Sequence, residues 1–133
     1  MISFQLDGRS KVATYMQLVQ QVKQAVRLGR LDPGDRLPAV REVAEALAIN
    51  PNTVQKAYRE LELAGLVEAR AGLGTFVRRV RGGRPLPNQD ALERKLTRWL
   101  LEARAAGWGQ EDVVALVETT LRATFLAGRE GTA

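Results

Sequence analysis

The stretch Asn50-Pro51-Asn52-Thr53-Val54-Gln55-Lys56-Ala57-Tyr58-Arg59-Glu60-Leu61-Glu62-Leu63 decides how the rest of the chain is read. Its first residues suit a helix N-terminus. Asn50 can accept a hydrogen bond from an orphan backbone N–H as N-cap, and Pro51 fits the first turn, where its missing donor costs nothing. Val54, Ala57, Tyr58 and Leu61 recur at helical spacing and make one apolar face. The tip and opposite face carry Asn52, Thr53, Gln55, Lys56 and Arg59. Amides and hydroxyls there can read base edges, and the cations behind them can hold phosphate. A solvated amphipathic helix shows the same pattern, so the neighbouring segments must decide.

Working backwards, Pro38 or Ala39 opens a helix with Val40, Val43, Ala44 and Leu47 on one face and Arg41, Glu42 and Glu45 on the other. It ends near Ala48, so about three residues separate it from the next helix. Two short helices joined in this way form a helix-turn-helix, in which the second helix reads DNA; a plain helical hairpin is the alternative. Earlier still, Tyr15, Leu18, Val19, Val22 and Val26 place a helix between Ala13 and Leu28, with Gly29 as its stop. Leu31-Asp32-Pro33-Gly34-Asp35-Arg36-Leu37 reads as a turn pinned by its leucines. Ile2, Phe4 and Leu6 suit either a short edge strand or a segment lying over the core.

Working forwards, Ala64-Gly65 ends the reading helix. Leu66–Ala69 and Thr75–Arg78 are strand-like and flank Arg70-Ala71-Gly72-Leu73-Gly74. Glycines and a cation at a hairpin tip can approach a nucleic-acid backbone closely, as a wing in the minor groove must; an ordinary surface hairpin is the alternative. Three helices followed by such a hairpin make a winged helix-turn-helix.

Composition narrows the chemistry. The 133 residues contain neither Cys nor His. Disulfides, thiolate sites, a cysteine nucleophile and the commonest general base and metal ligand are all excluded. Only Ser3 and Ser10 carry serine hydroxyls, and neither lies in a nucleophile-elbow context. No catalytic residue, metal or cofactor is expected. Residues 1–82 hold 13 Lys+Arg against 8 Asp+Glu, whereas 83–133 hold 7 of each. The net charge of +5 therefore lies in the first part, which points to a polyanionic partner there. No apolar run reaches the roughly 20 residues of a membrane span, so a cytoplasmic protein without membrane association is expected.

Arg78-Arg79-Val80-Arg81-Gly82-Gly83-Arg84-Pro85-Leu86-Pro87 is a linker by composition. Its arginines can lie on phosphate or in solvent. Beyond it, Leu92, Leu96, Trp99 and Leu100 line one helix from Asn88 or Asp90 to about Ala105. Val113, Val114, Leu116, Val117, Leu121 and Phe125 lie on another, from about Gln110 or Glu111 to Leu126. That apolar stripe is too wide for one neighbouring helix. A two-fold pairing with the same hairpin of a second chain would bury it; packing back onto the first domain is the alternative. The expected architecture is mostly α with a small β-hairpin: a winged helix-turn-helix over 1–80, a linker over 81–88, and a two-helix dimerisation or effector region over 89–133.

Pro33-Gly34-Asp35-Arg36-Leu37-Pro38, Arg41-Glu42-Val43-Ala44, Asn50-Pro51-Asn52-Thr53-Val54, Ala57-Tyr58, Leu61, Gly65-Leu66-Val67 and Gly72-Leu73-Gly74-Thr75-Phe76-Val77 follow one another in order. Together they closely resemble the winged helix-turn-helix of GntR-family bacterial transcription regulators. The short two-helix tail looks like the YtrA-like subgroup. The resemblance implies DNA contacts from Arg41, Asn50, Asn52, Thr53 and Gln55, with Lys56 and Arg59 beside them. It also implies a phosphate contact from Arg36 and a wing tip at Gly72, flanked by Arg70 and Thr75. Some relatives carry Arg where this chain has Pro51 and Gln55. Gln55 would favour adenine or a water-bridged contact, so their operators do not transfer. Ala39 also stands where Ser is frequent, removing one possible backbone contact. The subgroup implies control, usually repression, of a transporter operon.

The expected function is thus a homodimeric, sequence-specific regulator on double-stranded operator DNA arranged as an inverted repeat. Its half-sites would lie about 34–36 Å apart or somewhat more. A winged-helix architectural or RNA-binding protein without sequence preference is the main alternative, and an enzyme the remote one. The residues do not specify a small-molecule effector.

Overall fold

A computed structural model of the chain describes residues 2–78 and 85–130, the side chains of 127–130 excepted. Arg79, Arg81 and Arg84, and with them the first half (81–84) of the 81–88 linker, lie outside the described residues. The chain is mostly α with one small antiparallel hairpin. It divides into two compact units, Met1–Pro87 and Asn88–Ala133.

The first unit holds α1 (Thr14–Arg27), α2 (Val40–Leu47), α3 (Pro51–Leu63), β1 (Val67–Arg70) and β2 (Gly74–Val77). Its core is what the helical spacing dictates. Leu18, Val19, Val22 and Val26 of α1 meet Val43 and Ala44 of α2 and Val54, Ala57, Tyr58 and Leu61 of α3; Leu31, Leu37, Val67 and Val77 close the side towards the hairpin. Each helix stops by the same geometry. The N–H groups of Arg30, Ile49 and Leu66 donate to the carbonyls of Ala25, Ala44 and Leu61, closing a Schellman turn around a left-handed residue. Gly29 and Gly65 fill that position for α1 and α3, as their sequence positions lead one to expect. At the end of α2 it is Ala48, at φ 54°, a conformation that costs an L-residue on the order of 1 kcal/mol. Nothing in the residue type announces it.

The Pro-Gly segment is more than a turn. Gly34 and Leu37 donate backbone hydrogen bonds to Val77 and Thr75, Val77 donates back to Asp35, and Arg36 bridges Phe76. Residues 34–37 therefore run alongside β2, joined to it by one antiparallel bridge without forming a strand of their own. The N-terminal arm, by contrast, forms no strand. Phe4 is buried, and the side-chain amides of Gln17 and Gln21 supply the pairing that a neighbouring strand would have given, bonding the backbone of Asp7 and Gln5.

The second unit consists of α4 (Gln89–Ala105) and α5 (Gln110–Glu130). Asn88 stands at the N-cap of α4 but makes no side-chain cap bond. Its φ of 56° departs from the extended backbone from which a cap side chain reaches the first turn. Gly109 N–H donates to Asp112 Oδ2 at the start of α5 (3.0 Å). Among the described residues of this unit only Ala103 is buried. The helices enclose an open apolar cleft of about 390 Å³ lined by Leu96, Trp99, Leu116, Val117, Leu121 and Phe125, with Thr120 and Thr124. Leu121 is 56% exposed and Phe125 68%. No described helix is long and apolar enough to cross a membrane.

Candidate nucleic-acid interface

The polar stripe of α3 follows from which residues its core claims. Val54, Ala57, Tyr58 and Leu61 are buried, so Asn52, Gln55, Lys56 and Arg59, spaced i, i+3, i+4, i+7, stand together on the exposed side. Asn50 caps the helix as its position suggests. Its Oδ1 accepts from the Asn52 N–H at 2.8 Å, which occupies that oxygen and leaves the side-chain N–H groups for a partner. Thr53 is half-buried on the flank of the tip, and its own N–H donates to Asn50 O at 2.9 Å.

Tyr58 sets α3 against the start of α2. Its hydroxyl donates to Pro38 O at 2.6 Å, from an otherwise buried ring. This tie fixes the reading helix relative to the turn on which Arg41 stands exposed. Burial, with the nearby Glu42 carboxylate adding to it, pushes the phenol well above its ordinary value. Below about pH 10 the phenol is neutral whether the chain is folded or not, so its contribution is fully present. Above that, the unfolded phenol ionises while the buried one holds its proton. Stability should then fall by up to about 1.4 kcal/mol per pH unit. Tyr58→Phe should cost about 1 kcal/mol at neutral pH and remove that alkaline decline. Urea titrations at pH 7 and pH 11 measure both.

The cations take up different settings. Among the described residues no carboxylate pairs with Arg36, Arg41, Lys56 or Arg59. The Lys56 ammonium sits 4.0 Å from the centroid of the Tyr15 ring at the start of α1, so its chain is steadied while its charge stays unneutralised. The Arg36 side chain runs across Gly74. A Cβ at that position would come within 2.7 Å of Arg36 Nε, and the Gly74 φ of 122° also disfavours a side chain. Gly74 thus makes room for a guanidinium. Sequence reasoning misses this because the two residues lie far apart in the chain.

In the wing, Gly72 (φ 74°) belongs to the Ala71–Leu73 turn, and the register pairs Arg70 with Gly74 and Ala69 with Thr75. Arg70 and Thr75 therefore lie on opposite faces of the hairpin. Arg70 is engaged within the protein, bonded to Glu68 at 2.8 Å with its guanidinium over Phe76. Leu73, 62% exposed, stands at the tip. Sequence reading places Glu68 only in a strand-like run and Tyr15 only on the apolar face of the first helix, with neither beside the interface cations. The two-residue spacing of Glu68 and Arg70 on a strand is the available signal for the first; the contact of Tyr15 with Lys56 joins distant segments and has none. Among the described residues no cluster of carboxylates could hold a metal ion.

Residues 14–77 match the sequence family described as bacterial regulatory proteins, gntR family. The chain is 48% identical over 73 residues to the HTH-type transcriptional repressor YtrA of Bacillus subtilis (strain 168), a match covering 55% of this chain and 56% of that one. It is 38% identical over 109 residues to the HTH-type transcriptional regulator Rv1152 of Mycobacterium tuberculosis, covering 82% and 86%. The solved structure of YtrA from Sulfolobus acidocaldarius, a GntR-family transcription factor, is similar at a TM-score of 0.54 and 30% identity, covering 74% of this chain and 97% of that one. The match thus spans little more than half of the Bacillus repressor and most of the mycobacterial regulator.

Proposed function

This chain belongs to the GntR family of bacterial regulatory proteins and is YtrA-like, and we propose that it is a homodimeric repressor binding an inverted-repeat operator. It is a DNA-binding transcription regulator, as its family is. The observation that carries the finer reading is the exposed stripe of Asn52, Gln55, Lys56 and Arg59 on a helix whose opposite face is locked into the core. Such a helix can enter a major groove with amides on base edges and cations on phosphate. Arg41, Asn50 and Thr53 border it, Arg36 reaches across Gly74 of the wing from the segment ahead of α2, and Arg70, Gly72 and Thr75 lie at or beside the wing tip.

In this reading residues 1–80 form the reading head, 81–88 the linker and 89–133 the dimerisation region. The open cleft of α4 and α5 supports the last assignment. Leu92, Leu96, Trp99, Leu100, Val117, Leu121 and Phe125, with Val113 beside them, leave more apolar surface uncovered than a lone helix pair keeps in water. The same region of a second chain covers it and sets the half-site spacing. The name of the Bacillus relative supports repression; control of a transporter operon rests on the subgroup resemblance.

Selection of random duplex by the purified protein tests the reading. The expected outcome is a palindromic motif with half-sites about 34–36 Å apart or somewhat more. A logo without symmetry, or affinity equal to random duplex at physiological salt, would favour the architectural or RNA-binding alternative. Gln55→Ala should cost about 1–3 kcal/mol on the selected site and relax one position of each half-site. An unchanged logo would remove Gln55 from base reading.

A further inference from the structure

The wing carries an ion pair that DNA recognition by α3 does not need. Glu68 and Arg70 are two apart on β1 and share a face, with Phe76 opposite Glu68 and Gly74 opposite Arg70. Arg70 Nε donates to Glu68 Oε1 at 2.8 Å, and Nη2 lies 2.8 Å from the same oxygen. The guanidinium carbon is 4.5 Å from the Phe76 ring centroid. Both contacts draw the guanidinium back along the strand, away from the Ala71–Leu73 turn. The wing therefore leads with an uncharged leucine, and its nearest cation is compensated internally. Arg36, crossing Gly74 on the same face, keeps its charge without a carboxylate partner among the described residues.

We propose that Glu68 is a specificity-determining residue: it holds Arg70 silent in the free protein and in loose encounters with DNA. Arg70 is released to phosphate only when a fitting site brings the wing onto the backbone. The inference rests on the wing facing DNA as proposed above. The two side chains are 49% and 44% exposed, so the pair is a weak one. A phosphate oxygen at hydrogen-bonding distance offers Arg70 a bidentate charged partner and can displace the carboxylate. A phosphate one Debye length away, about 8 Å at physiological salt, cannot. Random duplex, bound mainly through α3 and its flanking cations, leaves the latch closed. The operator opens it.

The test is a mutant cycle of Glu68→Gln, Arg70→Ala and the double variant, titrated on the selected operator and on random duplex of equal length across a salt series. Glu68→Gln should tighten random-duplex binding about five-fold and operator binding about two-fold at most, so discrimination falls. The freed guanidinium should steepen the random-duplex salt slope by about 1. In the Arg70→Ala background Glu68→Gln should change neither affinity. Equal tightening with and without Arg70 would overturn the proposal, since loss of one negative charge would then suffice. Weaker operator binding by Glu68→Gln would also overturn it, because Glu68 would then be presenting Arg70 to DNA. If the native protein itself does not distinguish operator from random duplex, the regulator reading fails, while the cycle on random duplex still measures the latch.

Discussion

Replacing Leu121 by Glu should leave the purified protein monomeric and weaken binding to the full operator by about 10²–10⁴-fold, the range over which a linked second site raises avidity. Leu121 lies on the wall of the α4–α5 cleft and is more than half exposed, so a carboxylate there does not disturb the first unit. Covered by a second chain, the same carboxylate would be stranded in an apolar interface without a partner, at a cost of several kcal/mol. Binding to an isolated half-site should be unchanged, because one reading head meets it in either case. Light scattering and titration on whole and half operators separate the effects. A variant that remains dimeric would show that the cleft is not the interface.

The second large effect is on stability. Leu61→Ala should cost about 2–5 kcal/mol, a substantial part of the roughly 5–15 kcal/mol that holds a domain folded. Leu61 is fully buried beneath α3 beside Val54 and Ala57, where a truncated side chain leaves a cavity that fixed helices cannot close. Leu63, two residues on and 78% exposed, is the internal control: Leu63→Ala should change stability by no more than about 0.5 kcal/mol. Urea unfolding of both variants gives the comparison. Equal costs would mean that α3 is not anchored by the face containing Leu61.

Residues whose role depends on near neighbours were legible in the sequence. Val54, Ala57, Tyr58 and Leu61 recur at helical intervals, and all four are buried. Asn50 and Pro51 mark a helix start, and the side-chain cap forms there. Gly29 and Gly65 mark helix ends and adopt the left-handed backbone. Roles that arise from distant parts of the chain were not legible. The pairing of residues 34–37 with β2, the passage of Arg36 over Gly74 and the seating of Lys56 on Tyr15 each join segments far apart in sequence. Ala48 takes a left-handed conformation that its side chain does nothing to favour, because the two helices it joins impose it. The candidate site divides in the same way. The helix stripe could be written down from spacing alone, whereas the engagement of Arg70 with Glu68 and Phe76 required the hairpin register.

The hydrogen bonds from Gly34 and Leu37 to Val77 and Thr75 also have a kinetic consequence. They close a loop of roughly 40 residues that contains the whole helix-turn-helix, and such a closure carries its entropy cost before any contact across it is gained. The helices α2 and α3 can form from local contacts, but the pairing with β2 must wait for that closure. Truncation before Gly74 should therefore remove both the pairing and the buried Val77, and amide protons of α3 should exchange faster than in the intact chain.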